Sequence, residues 1–378
     1  MIPFSWLPEH VAAINAQVNR SPVFKRSAVP DILSGYDVWD HWPVLRENGT
    51  IAEVAGGRLV IALAAVKAAD PEERHQISQL RLFHVIGANW HDRGSLLPPS
   101  ISPGTREWAG SATLSPDGNR LKLFFTATGQ KGDIAVSFSQ RLFESEARLC
   151  LDANGPTLLE WQQPRESVAP DGALYQIEMA GGGEVGTIKA FRDPFFFRDA
   201  SGHDYLLFTA SDPTISSAWN GVIGIARMDV DSWQILPPLV CANDLNNELE
   251  RPHVIETNGM VYLFWSTQEK VFNPDGPIGP TGLYGVVANY WGGPWRPLNG
   301  TGLVFGNPQS APFQAYSFQV LPDLSVWSFA DMPEILAAPV GVEERRAAFL
   351  GGPAPVLQLQ LHGNEARLVD VPRLIDVR

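Results

Sequence analysis

Two cysteines in 378 residues, Cys150 and Cys241, exclude a disulfide framework and are too few for a structural zinc site. We expect buried free thiols. Basic residues are also scarce: 28 Lys and Arg stand against 41 Asp and Glu, a formal net charge of −13, with no basic cluster to offset it locally. Nucleic acid and anionic membrane surfaces are therefore not expected partners. Long apolar runs are missing. The longest, Leu59 to Val66, falls far below the ~20 residues that span a bilayer. The opening MIPFSWLPEH lacks a basic start and is broken by Pro3 and Pro8. No ordinary secretory signal is expected, which leaves a cytoplasmic chain, a non-standard export route, or a signal already removed. The histidines do not cluster, since His84 and His91 stand apart, so no metal and no other cofactor is expected.

What is abundant is turn formers and flat side chains: 34 Gly, 31 Pro and 12 Trp. Runs of strong helix formers are few, which favours many short strands. One grammar recurs five times, a motif rich in aromatic or charged groups followed by an apolar strand, a tight turn and another apolar strand. The copies open at WDHWPVL, EWAGSATLS, FRDPFFFRD, ERPHVIE and AYSFQVL, and their turns fall at Asn48-Gly49, Asp117-Gly118, Ser201-Gly202, Asn258-Gly259 and Pro322-Asp323. Units of this size match propeller blades. The expected fold is all-β, a five-bladed β-propeller with a funnel-shaped central active site. Residues 1–35, with a short helix near Pro8 to Val18, should wrap a single catalytic domain spanning 36–378. The segments Leu158 to Gly186, with its glycines at 181–183, and Asn273 to Gly282 read as rim loops, and Lys67 to Leu80 as a surface helix. VLQLQLHGNEARLVDV reads as a closing hairpin.

If first strands line the axis, blade starts gather Asp40, Trp108, Asp193, Glu250 and Tyr316. Retaining chemistry at a glycosidic bond needs a nucleophilic carboxylate and an acid/base carboxyl ~5–5.5 Å apart. Asp40 in VWDHWP, Asp193 in FRDP and Glu250 in NELERPHV are the candidates. Each has a bland reading, because Asp before Pro is commonly a turn residue and an acid before Arg a surface ion pair.

In order, VWDHWP, EWAGSA, FRDP, WQILPPL, NELERPHV, GPTGLYG and AYSFQVLPD resemble the family of levansucrases, inulosucrases and bacterial sucrose β-fructofuranosidases, from about Tyr36 to Met332. The resemblance implies the same five-bladed fold. It implies Asp40 as nucleophile, Glu250 as acid/base and Asp193 as transition-state stabiliser. Arg192 and Glu248 would hydrogen-bond fructose hydroxyls, Trp39 and Trp108 would form flat walls, and Tyr316 would stand near the nucleophile. The implied partners are sucrose and fructosyl acceptors. Two alternatives stay open: a hydrolase of another furanoside, inulin- or arabinan-type, and a non-catalytic fructoside-binding propeller.

The chain departs from the family pattern at several points. Ala109 stands where relatives carry Ser, which removes a hydrogen bond near the nucleophile. Thr209-Ala210-Ser211 lacks an acid expected to support Arg192 or Glu248. Gln268 stands where relatives place Arg or His, which moves the expectation toward hydrolysis or short products. Asn247 replaces the Asp of calcium-binding relatives, so that calcium site is not expected.

Overall fold

The computed structural model describes residues 1–15, 17–177 and 188–373. Five antiparallel sheets, one for each repeat of the sequence, stand as the blades of a propeller. Their first strands are Tyr36–Pro43, Arg106–Leu114, Phe191–Arg198, Glu250–Thr257 and Ala315–Val320. Each pairs with a strongly apolar second strand, as Glu250–Thr257 does with Met260–Thr267. A blade is covered by a neighbour on both faces, so these strands read as continuous apolar runs without alternation. In MVYLFWST every residue after the first is buried.

Turn chemistry sets the hairpins. Asn258 and Gly259 both lie at positive φ, +52° and +69°, the backbone of a tight two-residue hairpin. The fifth hairpin has no glycine. Leu324 takes the left-handed position at φ +61°, and the Asp323 carboxylate accepts from the Ser325 amide at 3.0 Å. The first blade departs from expectation, because Asn48-Gly49 turns an excursion rather than the hairpin itself. Within that excursion Leu45–Arg46 leaves its own blade and pairs in parallel with the end of Arg106–Leu114. The chain then returns through a tight turn at Ala55-Gly56 into Gly57–Val66.

The ring closes between blades five and one. The Gly352 amide donates to the Val38 carbonyl at 2.6 Å, and Arg346 grips the buried Asp37 carboxylate with bonds of 2.7 and 2.9 Å. Asp37, two residues before Trp39 on the same strand, is thus scaffold. The last blade ends in the expected hairpin, Val356–His362 against Glu365–Arg373.

The N-terminal segment is part of this body. Phe4–Ser5 adds a parallel edge to Ser232–Cys241 of blade three. Trp6 is fully buried against Trp265, Phe272 and Tyr284, and its indole N–H donates to the Thr301 carbonyl at 3.0 Å. Removing a ring of this size from a closed core costs about 3–5 kcal/mol. Trp6→Ala should lower stability by that amount in chemical unfolding followed by fluorescence, and a loss below ~1 kcal/mol would show the segment to be dispensable.

Three local expectations are corrected. The N-terminal helix covers only Pro8–Ala12, because the Asn15 side chain accepts from the Gln17 amide at 3.0 Å and competes with the helical bond. The surface helix read for Lys67 to Leu80 shrinks to a 3-10 turn, Pro71–Glu73, and a single α-helical turn, Arg74–Ile77, and its Arg74 is buried against the Trp39 and Phe349 rings. In the first rim loop Arg165–Val168 pairs with Gln140–Asp152, while residues 178–187, including the glycine run, lie outside the described residues. Both cysteines are free and partly buried. Among the described residues no helix is long and apolar enough to cross a membrane.

Candidate active site

All five first strands carry a β-bulge at the same depth. Pairing breaks after Trp39, Trp108, Arg192, Glu250 and Tyr316, and resumes two or three residues later in the chain. A bulge bends the strand and re-aims side chains, which here turns two consecutive residues of each blade toward the axis. The bulged residues are Asp40, Ala109, Asp193, Arg251 and Ser317. Four of them sit in left-handed backbone, at φ +42° for Asp40, +61° for Asp193, +51° for Arg251 and +62° for Ser317. That conformation costs a non-glycine residue ~1–2 kcal/mol, a strain that persists where the surrounding structure dictates it.

The bulges open into a cavity of about 350 Å³. Asp40, Asp193 and Glu250 line it together with Trp39, Trp108, Arg192, Glu248, Gln268 and Tyr316, so every site residue read from the sequence meets in one place.

The carboxylates have different surroundings. Burial pushes Asp40 up to about 6, against the opposing pull of Arg251 and of the nearby Ser317 hydroxyl. Asp193 is also raised by burial and held back chiefly by Arg192, with its Oδ2 accepting from the Thr209 hydroxyl at 3.0 Å and the Arg251 amide at 3.2 Å. Glu250 is raised by burial and by its neighbour Glu248. Burial acts on Glu248 in the same sense and is the largest single influence, but Arg192, Glu250 and Lys270 together outweigh it and hold that carboxyl low. Arg192 Nη2 reaches Glu250 at 3.1 Å and Glu248 at 3.3 Å, and Nη1 donates to Gln140 at 3.3 Å. The pair therefore keeps one proton, on Glu250, facing an ionised Glu248. Where the sequence lacks an acid to support Arg192 or Glu248, Gln140 accepts from Arg192, and Thr209 donates instead to Asp193.

Aromatic walls complete the pocket. Trp39 is core and wall at once, with its ring fully buried, while Trp108 is held by its N–H donating to the His75 carbonyl at 3.2 Å. The Tyr316 hydroxyl and the Trp39 N–H are buried without a well-formed hydrogen bond in the protein, so both are donors free for a ligand. Tyr316 is near enough to Glu250 for the two to affect each other's proton affinity.

Sequence reading missed Arg251, Ser317, Arg74, Lys270 and Asp331, all of which line the cavity or support those that do. Arg251 and Ser317 could have been found by aligning the five copies on Asp40 and Asp193 rather than on Glu250 and Tyr316. Asp331, pushed up to about 6 by burial against the pull of Arg74 and Lys270, has no such signal. His253 lies behind the wall. Its Nε2 accepts from the Val320 amide at 2.8 Å, so Nδ1 carries the proton and donates to the Arg251 carbonyl at 2.9 Å. Asn247 accepts at 2.9 Å from the Lys189 ammonium, which also donates to the Ala218 carbonyl at 2.6 Å and to Asn220 at 2.7 Å. The loop Asn273 to Gly282 lies away from the cavity and lines a side groove against the N-terminal helix.

A proton-bearing carboxyl and a separate carboxylate, held by cations and flanked by indoles on the axis of a five-bladed propeller, define a class: propeller enzymes acting at glycosidic bonds. The chain matches the Levansucrase/Invertase family over residues 10–220 and 212–373, and it belongs to that family. It is 30% identical to levansucrase LscA of Pseudomonas savastanoi pv. glycinea, over 88% of this chain and 86% of that protein. It is also 30% identical to an extracellular sucrase of Zymomonas mobilis, over 88% and 85%. Among solved structures, an inulosucrase from Halalkalicoccus jeotgali bound to kestose superposes with a TM-score of 0.87 at 32% identity, covering 98% of this chain and 97% of that one.

Proposed function

We propose that the protein cleaves the glucose–fructose bond of sucrose with retention and passes the β-fructofuranosyl group to water or a sugar acceptor. Asp40 attacks the anomeric carbon while Glu250 delivers its proton to the departing glucose oxygen, leaving a fructosyl ester on Asp40. Glu250, now a carboxylate, takes a proton from the incoming hydroxyl, which attacks the same carbon and regenerates Asp40. Asp193 and Arg192 hold ring hydroxyls as the oxocarbenium-like charge develops. The observation that carries this reading is the meeting of Asp40, Asp193 and Glu250 in one cavity with Arg192 and the Trp39 and Trp108 rings, Glu250 being the carboxyl that burial and Glu248 push up.

Gln268, Lys270, Arg74 and Asp331 edge the cavity and suit a hydroxylated acceptor. With a neutral Gln268, hydrolysis and short transfer products are favoured over long polymer. The test is a product profile at high sucrose. Glucose release is expected, with free fructose equal to glucose for hydrolysis and in deficit for transfer. No glucose from sucrose, together with turnover of inulin or aryl arabinosides, would move the assignment to another furanoside. Binding of fructosides without any turnover would make the protein a binding propeller.

A further inference from the structure

The bulged residues of blades three, four, five and one form a hydrogen-bonded chain around the axis. The Arg251 amide donates to Asp193 Oδ2 at 3.2 Å and to the Thr209 hydroxyl at 3.2 Å. Its guanidinium Nη1 donates to the Ser317 hydroxyl oxygen at 2.6 Å and the Ser317 carbonyl at 3.2 Å. Nη2 donates to Gln319 Oε1 at 3.1 Å and to the carbonyl of His41, the residue after Asp40, at 3.3 Å. The Ser317 hydroxyl, held by Arg251, also lowers the proton affinity of Asp40. One buried side chain therefore grips the backbone beside Asp40 and fixes a hydroxyl that acts on the Asp40 carboxylate. The bulged residue of blade two, Ala109, has no polar side chain, but Thr126 of the same blade donates its hydroxyl to the Ala109 carbonyl at 3.0 Å and accepts from the Asp193 amide at 3.0 Å.

We propose that Arg251 is a positioning residue for Asp40: through Ser317 and the His41 carbonyl it fixes the carboxylate's direction of attack. The proposal rests on the reading of Asp40 as nucleophile. The charged groups facing Asp40 are the Arg251 cation and the acids Asp193, Glu250 and Asp331. Those facing Arg251 are Asp40, Asp193, Glu250, Tyr316 and the buried imidazoles His41 and His253, which burial keeps neutral. Arg251 is the cation that pulls on Asp40 itself, while Arg192 offsets Asp193 and Glu250, and Arg74 and Lys270 offset Asp331.

The experiment follows glucose release from sucrose by the full chain across pH for Arg251→Met, Arg251→Lys, Ser317→Ala and Asp40→Ala. Without the cation, Asp40 keeps its proton to higher pH, so in Arg251→Met the acidic limb of kcat/KM should move up by roughly 1–2 pH units. At pH 6 kcat should fall on the order of 10²-fold, with KM little changed. Lysine retains the charge but cannot hold Ser317 and His41 together, so Arg251→Lys should lose about tenfold in kcat with its limb in place. Ser317→Ala, which removes only the hydroxyl, should lose about tenfold with a smaller upward movement of the limb, and it carries the test if Arg251→Met does not fold. A wild-type limb and kcat in Arg251→Met, or in Ser317→Ala where Arg251→Met is unfolded, overturns the proposal, as does a loss confined to KM. Full activity in Asp40→Ala would instead overturn the nucleophile reading itself.

Discussion

Asp40→Ala should release glucose from sucrose on the order of 10⁴-fold more slowly than the parent, or not at all, because the substitution removes the atom that forms the new bond. The loss should fall in kcat, since Trp39, Trp108, Arg192 and Tyr316 remain to bind substrate. The parent enzyme should report the same group through pH. Asp40 must be ionised to attack, and its carboxyl is held up to about 6, so kcat/KM should fall as pH drops through that value. Stability should move the other way. A carboxyl raised from 3.8 to about 6 favours the folded state least once pH exceeds the higher value, so at neutral pH its ionised form costs on the order of 3 kcal/mol. Alanine removes that cost, and Asp40→Ala should melt no lower than the parent in calorimetry at pH 7. Inactivity accompanied by a clear fall in melting temperature would point to a structural role for Asp40.

The strain and the charge have the same origin. In the proposed role Asp40 must be partly desolvated, aimed and kept ionised at once, and its bulge sets the aim at a backbone angle of φ +42° that aspartate tolerates better than most residues. The blade hairpins were readable because their chemistry is local: Asn-Gly dictates its turn wherever it stands, and two-sided burial writes an unbroken apolar run. The three acids that line the cavity were readable because their motifs are contiguous. Arg251 and Ser317 were not, because a bulge is defined by the partner strand. Nothing within ERPHV or AYSF says which residue loses its pairing. The segment Lys67 to Leu80 failed for a different reason. Its charges suggested solvent, yet Arg74 lies 4.4 Å from the Phe349 ring centroid and 5.5 Å from that of Trp39, so a guanidinium packs as a flat apolar plate. The Asn48-Gly49 turn was correctly seen and wrongly assigned, since the pairing of Leu45–Arg46 with blade two is a contact between repeats.

Glu250→Gln should separate the two halves of the reaction. With sucrose the departing glucose oxygen needs a proton, and loss of a positioned acid should lower kcat/KM roughly 10²–10⁴-fold. With an aryl β-fructofuranoside, whose phenolate leaves without protonation, the first step should proceed at close to the parent rate. The second step still lacks its base, so the fructosyl ester on Asp40 should accumulate, visible as a burst of phenolate and as an adduct in mass spectrometry. Azide, an anion that attacks without losing a proton, should release it. The pH dependence carries the same signature. Burial and Glu248 raise the Glu250 carboxyl, so the parent should lose kcat/KM as pH climbs through that raised value and the acid surrenders its proton. Glu250→Gln has no such group to titrate, and its alkaline limb should disappear while the acidic limb set by Asp40 stays. Equal losses with sucrose and aryl fructoside, without a burst, would remove Glu250 from proton transfer and leave it a binding residue beside Arg192.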